Sequence, residues 1–521
     1  MKSNKQKPHY QTLDMLVFYG TVTITGAAVM MVELLGTRII GPYYGVSLVV
    51  WSSLLSVSLL ALSIGYFIGG HCADKNIAFR LPHAVFAAGV MVALIPPLSQ
   101  PVQVFFNVLG LRGGALSSAF VLFTPALVFL GMAGPFVIRT ATERLENVGS
   151  TAGNVYAIST IGSVAGTLLL GFFLLPLFGT YAILISLAFV LIALALSLAI
   201  YEKNRLGVKY KWGGWIVSSA IVLGIIGLQL VNNHQKKALE DGYKVVYEAE
   251  THYGWVRVID QEDKELRWLM SDASTIGVEH KPTGTGLLGY QTIVRNLPLF
   301  NSEGKTALLI GLGAGHLVAD LQKYGIKTDA IEIDPAVAFA AEHYFNLKPT
   351  GKVIVGDARY QVQQLNKTYD FIIHDCFTGG AEPFHLLSQE MMQELKTKLN
   401  PGGILAINFV GFTDKNRLKP VKAIAATLDA EFANRKNYAR APEQEFSDYV
   451  FIVSDSKLAL NKTSASVERI TWLNEHELDI SGDEVRIITD DYNPLEYLQI
   501  AKAEYYRDVL VDRVGASVLF R

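Results

Sequence analysis

Up to about Val231, long apolar runs are separated by short polar gaps, whereas beyond Tyr243 short apolar runs alternate with polar ones. Seven stretches in the first part, each of roughly 17 to 25 residues, are long enough to cross a hydrocarbon core of about 30 Å as helices. They are 13–35, 46–69, 81–99, 115–138, 154–175, 181–200 and 215–231. The apolar run of the first is too long for a secretory signal and no small-residue cleavage site follows it, so it reads as an uncleaved span.

In the second part, residues 243–278 alternate apolar and polar positions, as in Trp255-Val256-Arg257-Val258-Ile259, which predicts small antiparallel strands. Short apolar runs at 307–310, 330–333, 353–355, 371–373 and 404–409 then alternate with helical patterns. That alternation predicts βα units around a parallel sheet. The expected organisation is a seven-span helical membrane domain over 1–232, a small β-subdomain over 240–285 and an α/β Rossmann-like domain over 286–521.

Composition agrees with a divided chain. At 521 residues, 50% hydrophobic and 18% charged, it is too apolar for an ordinary soluble protein and too long for one domain. A net charge of -2 gives no basic stripe, so no nucleic-acid partner is expected. Cys72 and Cys376 stand in different halves and supply neither a disulfide framework nor metal-ligand spacing, so no metal is expected.

Charge is strongly biased between the short loops. Lys2, Lys5, Lys7, Lys75, Arg80, Arg139, Arg144, Lys203, Arg205, Lys209 and Lys211 fall on one side, against Arg38, Arg112, Lys236 and Lys237 on the other. The bias predicts a cytoplasmic N-terminus, and an odd number of spans then places the globular half outside the cytoplasm. Glu33 and Arg38 are expected at the end of the first span as an interfacial pair. Gly153, Ala157, Gly162, Gly166 and Gly171 leave one helix face nearly bare, suited to close packing within the chain or to a homodimer. No discontinuous helix pair marks a transport site.

The candidate chemistry lies in the α/β part. Gly311, Gly313 and Gly315 follow the first strand of the parallel set and let backbone approach a ligand. His316 stands where a dinucleotide fingerprint would have its third glycine, so a pyrophosphate site is not expected. Glu332 ends the second strand, where a carboxylate can accept from both ribose hydroxyls. Asp357, followed by Ala358, ends the third, where it can accept from an adenine amino group. The alternative role of either acid is to cap the helix that follows. With the Pro401-Gly402-Gly403 turn before a later strand, this order points to a nucleoside site beyond the carboxyl ends of the strands.

These motifs resemble those of spermidine synthases, polyamine aminopropyltransferases with a fold of the class I methyltransferase type. The resemblance extends through Tyr290-Gln291 and Asn296-Leu297-Pro298-Leu299. The whole chain is similar to the membrane-fused branch of that family, with Thr489-Asp490-Asp491-Tyr492-Asn493-Pro494 as its C-terminal motif and a bacterial inner membrane as the expected location. Gly65 through Lys75 resembles a loop shared by such fusions and by major-facilitator transporters. The resemblance implies S-adenosylmethionine or its decarboxylated form as co-substrate, transfer of an aminopropyl-type group to an amine acceptor, and methylthioadenosine as product. It also implies Asp375 as catalytic aspartate, with Tyr290 and Gln291 orienting the reacting groups.

An amine has a reference pKa near 10 and must lose a proton before it attacks, so a buried carboxylate that takes the proton and holds the nucleophile in line serves both needs. His374, one residue earlier on the strand, is expected to face the core. Cys376 is read as a packing residue, with nucleophilic chemistry as the alternative.

The chain departs from the family at Ala314, Thr378, Thr292 and Gly254, where acidic residues or glutamine are usual. A doubly charged diamine loses carboxylate partners there, and loss of the acid at Ala314 is expected to leave room for the carboxylate of an intact donor. Methyl transfer, intramolecular breakdown to methylthioadenosine, and a non-catalytic nucleoside sensor or transporter stay open beside aminopropyl transfer.

Overall fold

The computed structural model describes residues 12–45, 47–75, 79–142, 147–210, 212–235, 242–272, 274–377, 382–461, 467–482 and 485–519. Lys2, Lys5, Lys7, Arg144, Lys211, Lys236, Lys237 and Thr378 lie outside the described residues. The chain divides into two units, Met1–Lys237 with Phe520–Arg521, and Ala238–Leu519.

The first unit is helical: α1 Thr12–Tyr44, α2 Leu48–Asp74, α3 Leu81–Phe106, α4 Gly110–Gly131, α5 Ala133–Ala141, α6 Val148–Leu168, α7 Thr180–Leu206 and α8 Trp212–Gln235. Among the described residues, five helices are long and apolar enough to cross a membrane: Asp14–Tyr44, Leu48–Asp74, Leu81–Ala141, Val148–Leu174 and Thr180–Arg205. The third holds 61 residues, about 90 Å if straight. It instead turns at Asn107–Leu109 and at Gly110, whose φ is +70°, so that α3 packs against α4. Two of the stretches read from sequence therefore share one continuous helical segment, and the stretch 215–231 lies in α8, which is not among the five.

One expectation is corrected here. Glu33 and Arg38 do not sit at a helix end, because α1 continues through Ile39, Ile40, Tyr43 and Tyr44, all buried. The Glu33 carboxylate accepts from Ser58 of α2 instead.

Of the expected bare face, Gly162 and Gly166 of α6 pack on α1, whereas Gly153 and Ala157 are exposed and nothing lies within 4 Å of a Cβ added at Gly171. A Cβ on Gly162 would lie 2.3 Å from the Thr23 carbonyl oxygen, one on Gly166 would lie 2.7 Å from the Ala27 Cβ, and Ser163 Oγ donates to the Gly26 carbonyl at 2.9 Å. Gly65 and Gly69 likewise let α2 approach Val128 and Met132, and below them Asp74 pairs with Arg139 at 3.2 Å.

The second unit begins with a five-stranded antiparallel sheet in sequential order: β1 Tyr243–Glu250, β2 Trp255–Gln261, β3 Leu266–Ser271, β4 Ser274–His280 and β5 Thr285–Gly286. Eight strands form the main sheet: β6 Thr306–Ile310, β7 Lys327–Glu332, β8 Val353–Val355, β9 Tyr369–His374, β10 Leu399–Phe412, β11 Asn434–Ala439, β12 Phe446–Ser454 and β13 Glu477–Leu478. Their spatial order is β13-β11-β12-β10-β9-β6-β7-β8. The five from β10 to β8 run parallel, and β12 enters antiparallel beside β10.

Helices α9 His316–Gln322, α10 Pro335–Tyr344, α11 Ala358–Gln364, α12 Gln389–Thr397 and α13 Lys419–Asp429 follow β6 to β10 in turn, and α14 Val467–Glu475 and α15 Ile500–Val514 complete the unit. Apolar clusters cover both faces of the sheet, which explains why β6 reads as a continuous Ala-Leu-Leu-Ile run and not as an alternation. This is the Rossmann-like fold of class I methyltransferases and spermidine synthases, preceded by a β-subdomain.

Pro401-Gly402-Gly403 falls within the bounds of β10 but interrupts its pairing with β9 between Leu399 and Ile404, with Gly402 at φ +73°, and the continuous ladder runs on from Ile404.

The chain leaves β6 on one side for β7 and β8 and returns to β9 on the other, so a crevice opens between the carboxyl ends of β6 and β9. Gly311 closes this junction at φ +90°, where an added Cβ would lie 2.0 Å from the Asp375 carbonyl oxygen. Replacing Gly311 by Ala is expected to lower stability by about 2 kcal/mol or more, from left-handed backbone strain and overpacking together. Urea or thermal unfolding of the detergent-solubilised protein reads this, and an unchanged midpoint would refute the close approach.

Candidate active site

Asp375 follows β9 immediately, and its backbone N–H donates to the Ile310 carbonyl at 2.8 Å, which ties the end of β9 to the end of β6. The phenol of buried Tyr290 donates to one carboxylate oxygen. Asn408 Nδ2, projecting from β10, donates to the other at 2.9 Å. Burial pushes the Asp375 carboxyl up to about 6, these two hydrogen bonds oppose the rise, and the nearby Asp448 carboxylate adds to it. Burial, with the Asp375 charge beside it, holds the Tyr290 phenol well above its usual range.

Gln291 is buried next to this pair and donates to the Tyr290 phenol, while its Oε1 has no hydrogen-bond partner. That oxygen lies against Gly286, which His316 also approaches closely. Three of the sequence candidates, Tyr290, Gln291 and Asp375, thus meet in one place.

The glycine loop and Glu332 meet as well. Glu332 accepts from the backbone N–H of Leu312 and of Asp334, each at 3.0 Å, so it fixes the loop after β6 to the end of β7. Burial raises its carboxyl and the backbone donors draw it down. A carboxylate has about four acceptor sites, so capacity remains for hydroxyl donors. The cap of α10 is Asp334, through Ala336 N–H at 2.9 Å, and not Glu332.

Asp357 does cap α11, accepting from Tyr360 N–H at 2.9 Å, while its side chain stays exposed on the crevice side with His385 Nε2 at 3.9 Å. The methyl of Ala358 is buried in the core, which leaves only its backbone for a ligand. Arg359 of α11 donates to Asp490 at 2.8 Å, so the C-terminal motif braces the helix that Asp357 begins.

Ala314 does not open space. It is buried in an apolar cluster with Val256, Val258 and Leu269, and a Cβ on Gly277 of β4 would come within 2.5 Å of its own. The β-subdomain fills the volume that the missing acid was expected to vacate. Gly254 is similarly crowded, since a Cβ there would lie 2.8 Å from Asp272 Oδ2. His374 is fully buried, with burial lowering its ring to about 4. The Cys376 thiol donates to the Ile310 carbonyl at 3.3 Å, and burial raises it well above its ordinary value, which disfavours a thiolate nucleophile.

Sequence reasoning missed several residues. Asp448 of β12 accepts from the Tyr290 backbone N–H; burial pushes it up to about 6, and the charges of Arg513, Arg440 and Lys502 pull the other way. Its signal was its position as the one charge in the apolar run Phe446–Ser454. Glu279 faces His316 at 3.3 Å, both buried. Glu382 accepts from the Val410 N–H and from Gln499 Nε2, each at 2.8 Å, and pairs with Lys502 of α15.

Residues 287–414 match the spermine/spermidine synthase domain family. A spermine/spermidine synthase domain occupies this part of the chain. The synthase domain begins just before Tyr290 and reaches past Asn408, so it contains the Tyr290–Asp375–Asn408 cluster but neither Asp448 nor Lys502.

Among curated relatives, the chain is 31% identical over 214 residues to the N-terminal histidine N-methyltransferase of Emericella nidulans, covering 36% of this chain and 38% of that protein. It is 28% identical over 218 residues to a polyamine aminopropyltransferase of Vibrio vulnificus, covering 39% and 72%. Among solved structures, a probable spermidine synthase from Corynebacterium glutamicum covers 47% of this chain and 96% of its own at 18% identity, with a TM-score of 0.41.

The carboxyl of Asp375 titrates near 3.8 when solvated and near 6 in the folded protein. Unfolded chain therefore loses its proton first, and stability falls as pH rises from about 4 to about 6, then levels. Asp375→Asn is expected to flatten this fall and to be more stable than the unsubstituted protein at pH 7 by of the order of 1 kcal/mol. Urea titrations at several pH values measure it, and parallel pH profiles would refute the shift.

Proposed function

We propose that the chain is a membrane-anchored transferase that cleaves an S-adenosyl sulfonium donor, intact or decarboxylated S-adenosylmethionine, and passes an aminopropyl-type group to an amine. The observation that carries this reading is the half-buried Asp375 carboxylate, held by Tyr290 and Asn408 at the mouth of the β6/β9 crevice. Glu332 and Asp357, with the Gly311, Gly313 and Gly315 loop, would receive the adenosine along the same edge.

In the reaction, the amine lone pair forms a bond to the carbon beside sulfur, the carbon–sulfur bond breaks, and its electron pair returns to sulfur. Neutral methylthioadenosine leaves and needs no general acid. The amine proton passes to Asp375, whose raised carboxyl is closer in proton affinity to an amine than an ordinary aspartate is. Gln291 and Tyr290 hold the carboxylate and nucleophile in line.

A second reading, methyl transfer, is favoured by the likeness to a protein named as a histidine N-methyltransferase. It uses the same pocket and yields adenosylhomocysteine. Incubation with each donor separates the two. Methylthioadenosine is expected, and adenosylhomocysteine as sole product would remove the aminopropyl reading. Asp375→Asn is expected to lower kcat by about 10²- to 10⁴-fold with adenosyl affinity retained. Unchanged turnover in that variant would remove Asp375 as the base, and no turnover of either donor by the unsubstituted protein would favour a nucleoside sensor.

The five long apolar helices, by composition, support a lipid bilayer as partner. Seven crossings with basic loops inside would put the synthase domain on the extracytoplasmic face of a bacterial inner membrane. A reporter fused after Arg521 is expected to be active only outside the cytoplasm, and cytoplasmic activity would reverse the orientation.

A further inference from the structure

Lys502 is the unusual group beside this site. It projects from α15, beyond the synthase domain proper, and is almost fully buried with 3% exposure. Its ammonium pairs with Glu382 and lies 5.4 Å from the ring centroid of Phe377, two residues after Asp375, and 5.0 Å from that of Phe409, next to Asn408. Glu382 is in turn fixed by the backbone N–H of Val410, the residue paired across the sheet with Asp448. A protein-borne ammonium in an aromatic and carboxylate cage thus stands on the flank of the proposed base.

The carboxylates around it differ in what they already hold. Glu382 already accepts from Lys502, Gln499 and Val410. Asp448 is half-buried, accepts from Tyr290 N–H, and feels the positive charges of Arg513, Arg440 and Lys502. Asp375 accepts from Tyr290 and Asn408 and is the group that must meet the reacting nitrogen. A diamine would bring one ammonium to Asp375 and its other toward Glu382, whose charge Lys502 already meets. An unpaired ammonium there would face repulsion as well as loss of water.

We propose, resting on the transferase reading above, that Lys502 occupies the place of an acceptor's second ammonium, so that the acceptor is an amine with a single cationic nitrogen and not a diamine. Lys502 is then a specificity-determining residue: it fills the cation seat of Glu382 from within the chain.

The test is calorimetric titration of the full-length protein in detergent, saturated with methylthioadenosine at pH 8, with n-butylamine and with putrescine. These share a four-carbon chain and differ by one ammonium. Butylamine is expected to bind at least 10-fold more tightly, and Lys502→Met, which releases Glu382, is expected to reverse the order. Equal or tighter putrescine binding to the unsubstituted protein, or no binding of either amine, overturns the proposal. Should Lys502→Met not fold, Lys502→Met with Glu382→Gln removes both charges, and butylamine is then expected to keep its advantage; a putrescine preference in that double variant would count against the proposal. Methylthioadenosine release, measured separately, decides the transferase reading: amine selectivity of binding without any release would sink that reading alone.

Discussion

Everything at the site depends on one desolvated carboxylate. Asp375 sits at the junction where the sheet reverses direction, and the same junction brings Gly311 against its carbonyl oxygen. Burial raises its carboxyl, and the hydrogen bonds from the Tyr290 phenol and the Asn408 amide hold the rise to about 6. Those two donors come from segments on opposite sides of β9 in the chain, one before the sheet begins and one on β10. The sheet must therefore assemble in full before the carboxylate acquires its character.

Local motifs were legible in the sequence because their physics is local. Gly311, Gly313 and Gly315 take positive φ values that favour glycine, and Glu332 binds backbone only two residues ahead and across one strand pair. Tyr290 and Asp375 were placed by resemblance, and they meet. Asn408, Asp448, Glu382 and Lys502 were not found, because each acts through strand register or through a helix more than 100 residues from its partner, as Lys502 does with Glu382. A single polar residue in an apolar strand looks like noise until its register is known. The expected room at Ala314 failed for the same reason: its occupant, Gly277, belongs to another subdomain.

The helical half shows a related limit. Length and apolarity identify helices well, but they do not show where a long one folds back. The break at Asn107–Gly110 comes after Pro96, Pro97 and Pro101 have already removed backbone donors from α3. Glu33 and Arg38 lie inside α1 because the helix runs on to Tyr44, beyond the apolar stretch that ends at Leu35.

The likeness to proteins named for methyl transfer and for aminopropyl transfer has a common physical root. A sulfonium carries three carbons, and attack on any of them expels a neutral thioether, so adenosine recognition and sulfur activation are identical in both reactions. What differs is which carbon lies in line with the nucleophile, and that is set by where the acceptor is held. In the proposed reaction Asp375 would fix one end of that line, with the buried Glu382–Lys502 pair on its flank. A buried pair of this kind adds little net stability over apolar residues of similar size. If Lys502 fills the cation seat as proposed, its value to the protein lies in excluding a wrong charge, and the acceptor side, not the adenosine side, is where the chemistry would be decided.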